Sequence, residues 1–458
     1  MAYCKDCIEK DLKIAELQKT IQGLQAKLRY RERKEKEGAF GLSTPSSKMP
    51  FKEISPEEKT NRKGGAVPGH VGHGRTSITD TTADLVIDRD AGDACPECGT
   101  ALIAAKETNR TVIDNAPREA KKILYRLHHK VCPNCHKEFK AKAPVLPRSL
   151  YGNHITAQFA VMHYFHGIPM GRICEMTGIN IGSLVDIFHR LGRYLSPAME
   201  ALKERYREDP VKHADETGWR NDGQNGYAWL FCTALLSIFL FKNTRSASVP
   251  RNIFGEKNLP GVLVVDRYNA YNKLPLKIQY CYAHLLRDLE KLTKNFPDEE
   301  EVTSFTSVLI PFLSQAMHLH SQDISDSEYY RKAKKLKKDI MEVCRSPARH
   351  LGIRTFQDIF TIHEDRLFHW VTDRRVPADN NRAERDLRPT VIARKVSFGS
   401  SSDAGAETRS VLMSVLHTLN KQRGKESLES VFNGILDKIA ENHDVNVASL
   451  VLPIKKPA

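Results

Sequence analysis

The 458-residue sequence predicts a multidomain α+β protein organised around a buried sheet, and three observations carry that expectation. The run Pro260-Gly-Val-Leu-Val-Val-Asp266 is an almost unbroken apolar stretch of the kind that forms a strand covered on both faces. Two Cys-x-x-Cys pairs, Cys95/Cys98 and Cys132/Cys135, mark a separate small module upstream. From 278 to 376 the pattern turns to long helices rich in Lys, Leu and Glu, such as Tyr330-Arg-Lys-Ala-Lys-Lys-Leu-Lys-Lys-Asp-Ile340. A chain of this length is expected to hold about three domains.

Composition narrows the partners. Lys and Arg outnumber Asp and Glu by 70 to 56, a net charge of +14, which favours a polyanion over an acidic small molecule. The first residues, Met-Ala-Tyr-Cys-Lys-Asp-Cys, lack the apolar core of a signal peptide, so the sequence points to a reducing cytoplasm. There, ten cysteines read as metal ligands and buried thiols. The uncharged segment 227–241 is too short to cross a bilayer comfortably and suits two buried strands of a hairpin; no membrane partner is expected.

In chain order, residues 1–37 carry Ile14, Leu17, Ile21, Leu24 and Leu28 at the spacing of a short coiled-coil seam or an amphipathic helix. Residues 38–90 are rich in Gly, Ser, Pro and basic side chains and cannot build a core. They form a linker by default, or an arm that tracks a phosphate backbone. Residues 91–147 hold Cys95-Pro-Glu-Cys98 and Cys132-Pro-Asn-Cys135; four thiolates on two knuckles make a closed tetrahedral Zn²⁺ site of the zinc-ribbon type, structural and not catalytic. Residues 148–207 read as short helices around a Thr177-Gly178 turn, a helix-turn-helix-like region that either enters a DNA groove or simply packs.

The sheet domain begins at 208 and runs to 277. Val211-Lys-His-Ala-Asp215 offers one aspartate at the end of a short strand, a hairpin follows, then a short helix near 249–254, then the strand ending in Asp266. That order is how an RNase H-like α/β domain begins, with its first and fourth strands placing acids side by side. After the helical insertion, 278–376, the core resumes over 377–420 with Glu384 in helix-forming sequence, and 421–458 reads as a C-terminal helical segment and tail. Carboxylates converging from two strands and a helix would hold divalent cations. Arg382, Arg385, Arg388, Arg394 and Lys395 follow as candidate phosphate contacts, because guanidinium groups grip phosphate oxygens bidentately. Glu216 and Asp386 read as solvated or ion-paired acids beside the site.

At these residues the sequence resembles the insertion sequence 66 family of DDE transposases. The likeness rests on the Gly/His-rich run ending at Arg75, the two cysteine knuckles, and His213-Ala-Asp-Glu-Thr-Gly-Trp219. It continues through Val265-Asp-Arg-Tyr-Asn-Ala-Tyr271, Cys281-Tyr-Ala-His284, Asn380-Asn-Arg-Ala-Glu-Arg-Asp-Leu-Arg-Pro389 and Arg394-Lys-Val-Ser-Phe-Gly-Ser400. The resemblance implies a catalytic triad of Asp215, Asp266 and Glu384 holding two Mg²⁺ (or Mn²⁺) ions. It implies DNA as partner, both the terminal inverted repeats and the target, with a homo-oligomer and accessory proteins of the same element as further partners. Cys281 and His284 resemble a pair found in transposase domains with helical insertions, where they would order the site or contact flanking DNA. The alternatives are a silent transposase-derived DNA-binding protein and a metal-dependent RNase H-like nuclease. No G-x-x-x-x-G-K-[ST] loop is present, in keeping with chemistry that needs no nucleotide hydrolysis.

Overall fold

The computed structural model describes residues 142–452 apart from 443, together with 13, 14, 17, 21, 123–127, 130, 131, 133, 138 and 139. Cys95, Cys98, Cys132 and Cys135, the basic arm, and most of the N-terminal seam lie outside the described residues. Ile14, Leu17 and Ile21 are helical and exposed. Lys130–Val131 and Glu138–Phe139 pair as a minimal antiparallel ladder.

The centre is a five-stranded mixed sheet. Its strands are β1 (Val211–Asn221), β2 (Gln224–Cys232), β3 (Ser237–Lys242), β4 (Val262–Val265) and β5 (Lys277–Tyr280), in the spatial order β3-β2-β1-β4-β5. The first three form an antiparallel meander, and β4 and β5 join parallel to β1 and to each other. β4 reads Val-Leu-Val-Val and is buried at every position, as its composition predicts for a strand covered on both faces. The 227–241 segment is the β2–β3 hairpin, with Trp229, Leu230, Phe231, Ile238 and Phe239 buried.

Two expectations need correction. β1 is not a short strand ending at Asp215 but runs six residues further, to Asn221, because a tight turn at Asp222 and Gly223, both with positive φ (48° and 71°), lets β2 pair along its whole length. The helical stretch expected from 278 begins instead at Tyr282, since Lys277–Tyr280 form the edge strand β5.

Helices enclose the sheet. Before it come α1 (Asn153–Ala160), continued by a π-helical turn, α2 (Met170–Thr177), α3 (Ile181–Leu195) and α4 (Pro197–Glu208). Gly178 closes α2 in the left-handed conformation and Asn180 caps α3, so the glycine turn read from sequence is present. α5 (Ser248–Phe254) crosses between β3 and β4. α6 (Tyr282–Asn295), α7 (Glu300–Leu319), α8 (Asp326–Arg345), α9 (Leu351–Ile362) and α10 (His369–Thr372) make up the inserted helical block. The chain returns through α11 (Asn381–Ser397), α12 (Asp403–Gln422), α13 (Leu428–Glu441) and α14 (Val447–Val451). α12 is buried along most of its length between β3 and α3. Its Ser410, Ser414 and Thr418 hydroxyls accept bonds from the backbone N–H groups of Phe241, Phe239 and Ser237, satisfying the outer edge of β3. Among the described residues no helix is long and apolar enough to cross a membrane.

Candidate active site

Register brings the first two acids together. In the parallel β1/β4 pair, Val211 faces Val262 and His213 faces Val264; the same offset sets Asp215 opposite Asp266, two steps beyond the last paired residues. Neighbouring strands lie about 4.8 Å apart and alternate residues share a face, so these two carboxylates leave the sheet on the same side. Here the parallel ladder ends and β4 gives way to a turn, at the carboxyl end of a strand where α/β sheets open a crevice. Asp266 Oδ1 accepts the Tyr268 N–H at 3.0 Å, and Asp215 Oδ1 accepts the Glu216 N–H at 2.9 Å.

The third acid comes from α11. Glu384 lies in the first turn of that helix, half-buried, and its Oε1 accepts from Arg287 Nη2 at 2.8 Å. Asp215 registers all of these charges. Burial, then the neighbouring carboxylates of Glu216, Asp266 and Glu384, push its pKa up to about 8, against the downward pull of the Glu216 N–H bond. A proton or a cation is needed to hold this cluster at neutral pH.

Asn380 fixes the geometry. Buried one residue before α11, it accepts from His213 Nδ1 at 2.9 Å and donates from Nδ2 to the Ala214 carbonyl at 2.8 Å. Its backbone N–H reaches Cys281 Sγ at 3.1 Å, and its carbonyl receives the Glu384 N–H at 3.2 Å. One side chain and its peptide thus tie together β1 beside Asp215, the start of α6, and the turn bearing Glu384. The bond needs the His213 proton on Nδ1; burial lowers the pKa of this ring to about 4, so at neutral pH it is the neutral Nδ1–H imidazole. Asn380 is a positioning residue to which its sequence motif alone assigns no role. The available signal was its place four residues ahead of Glu384, one helical turn away.

Cys281 and His284 sit in the same corner. The Cys281 thiol is buried with its pKa pushed up to about 12, first by desolvation, so it is a protonated acceptor and not a thiolate. His284 Nε2 accepts from Arg287 Nη1 at 3.1 Å, and burial followed by Arg287 lowers its pKa below the usual value. Its buried Nδ1 lacks a hydrogen-bond partner. Arg287 therefore bridges His284 and Glu384, a connection the sequence reading missed because 97 positions separate Arg287 from Glu384.

Glu216 alternates to the other side of β1, where its side chain is only 2% exposed. It is ion-paired but not solvated: Arg245 Nη2 and Nε donate to Oε1 at 2.6 and 3.1 Å, and the Tyr271 hydroxyl donates to Oε2 at 2.6 Å. Arg245 in turn lies 3.9 Å over the Tyr268 ring, so the network underpins the turn after Asp266. Asp386 pairs with Lys421 at 2.6 Å. Arg385, Arg388 and Lys395 are exposed and Arg382 is half-buried. Arg394 is turned inward, donating to the Gly218 carbonyl at 2.6 Å and Thr217 Oγ1 at 3.2 Å.

Among the described residues, no three His, Cys, Asp or Glu side chains converge closely enough to hold a metal ion. Glu384 is engaged by Arg287, and Asp215 and Asp266 each bond to a backbone N–H. The donor set nevertheless suits a hard divalent cation: oxygen ligands from three elements, mutual repulsion that raises one pKa, and an orphaned imidazole nitrogen beside them.

The fold and this corner define a mixed α+β protein with an acidic cluster at the end of its central parallel strands. Comparison with known families matches residues 148–408 to the family described as "Transposase IS66 family", and the chain belongs to that family. It is also 23% identical over 375 residues to the uncharacterized protein y4jD of Sinorhizobium fredii (strain NBRC 101917 / NGR234), covering 73% of this chain and 72% of that one. To the uncharacterized protein y4qI of the same strain it is 23% identical over 355 residues, 68% of this chain and 64% of the relative. Family membership makes the chain a transposase by kind and DNA its implied partner.

Proposed function

We propose that the chain cuts and joins DNA at the ends of its insertion sequence through a DDE triad of Asp215, Asp266 and Glu384 on an RNase H-like core. The observation that supports this reading is the β1/β4 register, whose offset carried two steps past His213↔Val264 sets Asp215 opposite Asp266, joined to the electrostatic imprint of Glu384 on Asp215. The reaction is an in-line displacement at phosphorus, first by water to free a 3′-hydroxyl and then by that hydroxyl on target DNA. Bound at these acids, two Mg²⁺ or Mn²⁺ ions would supply Lewis-acid stabilisation of the attacking and leaving oxygens.

The chain's own residues do the positioning. Asp215 and Asp266 present oxygens from adjacent strands, and these two with Glu384 of α11 would hold the cations. Arg287, bonded to Glu384, offers its fork of donors to the substrate phosphate. Asn380 keeps the two strands and the helix in step throughout. Arg382, Arg385, Arg388 and Lys395 contact the DNA backbone, and the helices around Gly178, with the zinc module of Cys95, Cys98, Cys132 and Cys135, bind the element's ends. A homo-oligomer and accessory proteins of the same element complete the proposed assembly.

The test is strand cleavage by purified protein on DNA carrying the element's ends, against unrelated DNA, with and without Mg²⁺. Metal-dependent nicking confined to the ends is expected. Asp266→Asn abolishes it while end binding persists; retained cleavage by that variant removes Asp266 from the mechanism. Binding without cleavage by the unaltered protein identifies a silent descendant, and cleavage indifferent to sequence identifies a nuclease.

A further inference from the structure

At the far end of α11 stands an aromatic side chain that the core does not use. Phe398 is 71% exposed, and its backbone adopts the left-handed conformation with φ 61°. That is an uncommon and strained state for a bulky residue, at a helix terminus where glycine is the usual occupant. The strain is held by bracing on both sides. Before it, Arg394 anchors the last turn of α11 to Gly218 and Thr217 of β1, and the Phe398 N–H bonds to the Arg394 carbonyl at 3.0 Å. After it, Ser400 N–H donates to the Arg220 carbonyl at 2.9 Å, Asp222 N–H to the Ser400 carbonyl at 2.8 Å, and Trp219 Nε1 to Ser400 Oγ at 3.1 Å. Gly399 between them admits no side chain, since a Cβ there would stand 2.2 Å from the Arg220 carbonyl oxygen. The backbone that carries the ring is thus fixed, and the ring itself is exposed to solvent.

Its surroundings select the partner. Along the outer face of α11 run exposed Arg385 and Arg388, then Ile392 (52% exposed), Lys395 and Val396 (43%), ending in Phe398, with exposed Arg220 beside it on β1. Cations leading to an apolar tip suit a strand of phosphates whose bases can be entered: proteins that kink DNA insert Phe, Ile or Leu between base steps, and aromatic rings stack on splayed bases. The face begins at the active-site corner, because Glu384 occupies the first turn of the same helix. Fourteen residues at 1.5 Å each separate Glu384 from Phe398, about 20 Å. Along B-DNA that is about six base steps of 3.4 Å.

We propose that Phe398 is a wedge that enters the DNA base stack about six base pairs from the phosphate held at Asp215, Asp266 and Glu384, with the outer face of α11 as the track between. This rests on the functional reading above. The test uses full-length protein and duplexes ending at the element's terminal nucleotide, with 2-aminopurine placed singly at successive positions. An Asp266→Asn background keeps the DNA intact. Fluorescence should rise severalfold in a window centred about six base pairs in, reporting unstacking. Phe398→Ala should abolish that rise and weaken binding about five- to a hundredfold, the range that loss of one base–aromatic contact gives. Lys395→Ala should weaken binding while keeping the fluorescent window.

Melting temperature separates this from a structural role: Phe398→Ala should melt no lower than the parent, and Phe398→Gly higher, because each sheds an exposed ring from a strained position. A rise unchanged in Phe398→Ala overturns the wedge. So does loss of an oligomer in that variant, which would assign the ring to a second copy of the chain. If the unaltered protein nicks end DNA but no position brightens, the wedge alone falls. If it neither binds nor nicks such DNA, the functional reading falls and takes the wedge with it.

Discussion

Asp215→Asn should make the metal-free protein more stable, and increasingly so as pH rises. Asp215 ionises near 3.8 when solvated, whereas burial and the charges of Glu216, Asp266 and Glu384 raise its pKa to about 8 in the fold. Between those values the unfolded chain has released a proton that the folded one retains, so the wild-type contribution to stability falls as pH rises and is fully lost above about pH 8. At 1.36 kcal/mol per pH unit the gap sets a ceiling on the order of 5 kcal/mol. Relaxation of the surrounding charges in the fold reduces this, and we expect about 2 kcal/mol of it to be realised, equivalent to about 4 °C in melting temperature. The amide oxygen of Asn still accepts the Glu216 N–H bond, so nothing but the charge is removed. The assay is thermal unfolding in chelator from about pH 5 to about pH 8: the variant should gain on the wild type across that span. Added Mg²⁺ should then raise the wild-type melting temperature and leave the variant unmoved, because only the former has the carboxylate to bind it. A variant that melts below the wild type at the alkaline end, or a gap that does not change with pH, refutes the reasoning.

Three further outcomes follow, two from the same corner and one from the opposite end of β4. Arg287→Ala frees Glu384 from a half-exposed ion pair of the class worth up to about 1 kcal/mol, so calorimetry should record divalent-cation binding two- to fivefold tighter; unchanged affinity would show that the pair does not compete with metal. Asn380→Ala orphans the buried Ala214 carbonyl and the His213 Nδ1–H, and denaturant titration should find about 2 to 3 kcal/mol of lost stability; a neutral substitution would deny Asn380 its bracing role. Gly261→Ala places a Cβ 2.2 Å from the Pro210 carbonyl oxygen at φ +81°, where β1 and β4 begin to pair; a loss of about 3 kcal/mol or more is expected in the same assay.

How much of this was legible in the sequence depended on whether the signal was local. The apolar runs of β2, β3 and β4 and the Lys/Leu-rich helices announce themselves by composition and period, and Asp266 is marked by standing where an apolar strand stops. β1 was misjudged in length because Glu216, Thr217 and Gly218 look like a strand's end. What continues the strand is remote: Leu230, Trp229, Ala228 and Tyr227 pair along it, and Arg394 and Ser400 bond to its far half. The Asn221-Asp-Gly-Gln turn was the overlooked local clue. β5 escaped notice because Lys-Ile-Gln-Tyr is short and half polar. Its buried Gln279 is satisfied by the Tyr280 and Leu367 carbonyls and the His369 N–H, the latter two partners lying about ninety residues away. The bonds of Asn380 and the Arg287 bridge are likewise products of the fold, invisible until β1, α6 and α11 meet.

That Asp215, Asp266 and Glu384 together hold divalent cations is the claim on which the mechanism stands. Mn²⁺ titration followed by electron paramagnetic resonance, on wild-type protein and on Asp215→Asn, Asp266→Asn and Glu384→Gln, measures it without DNA. The account predicts tight Mn²⁺ binding by the wild type and its loss or marked weakening in each single variant. Binding of unchanged stoichiometry and affinity in Glu384→Gln would contradict it.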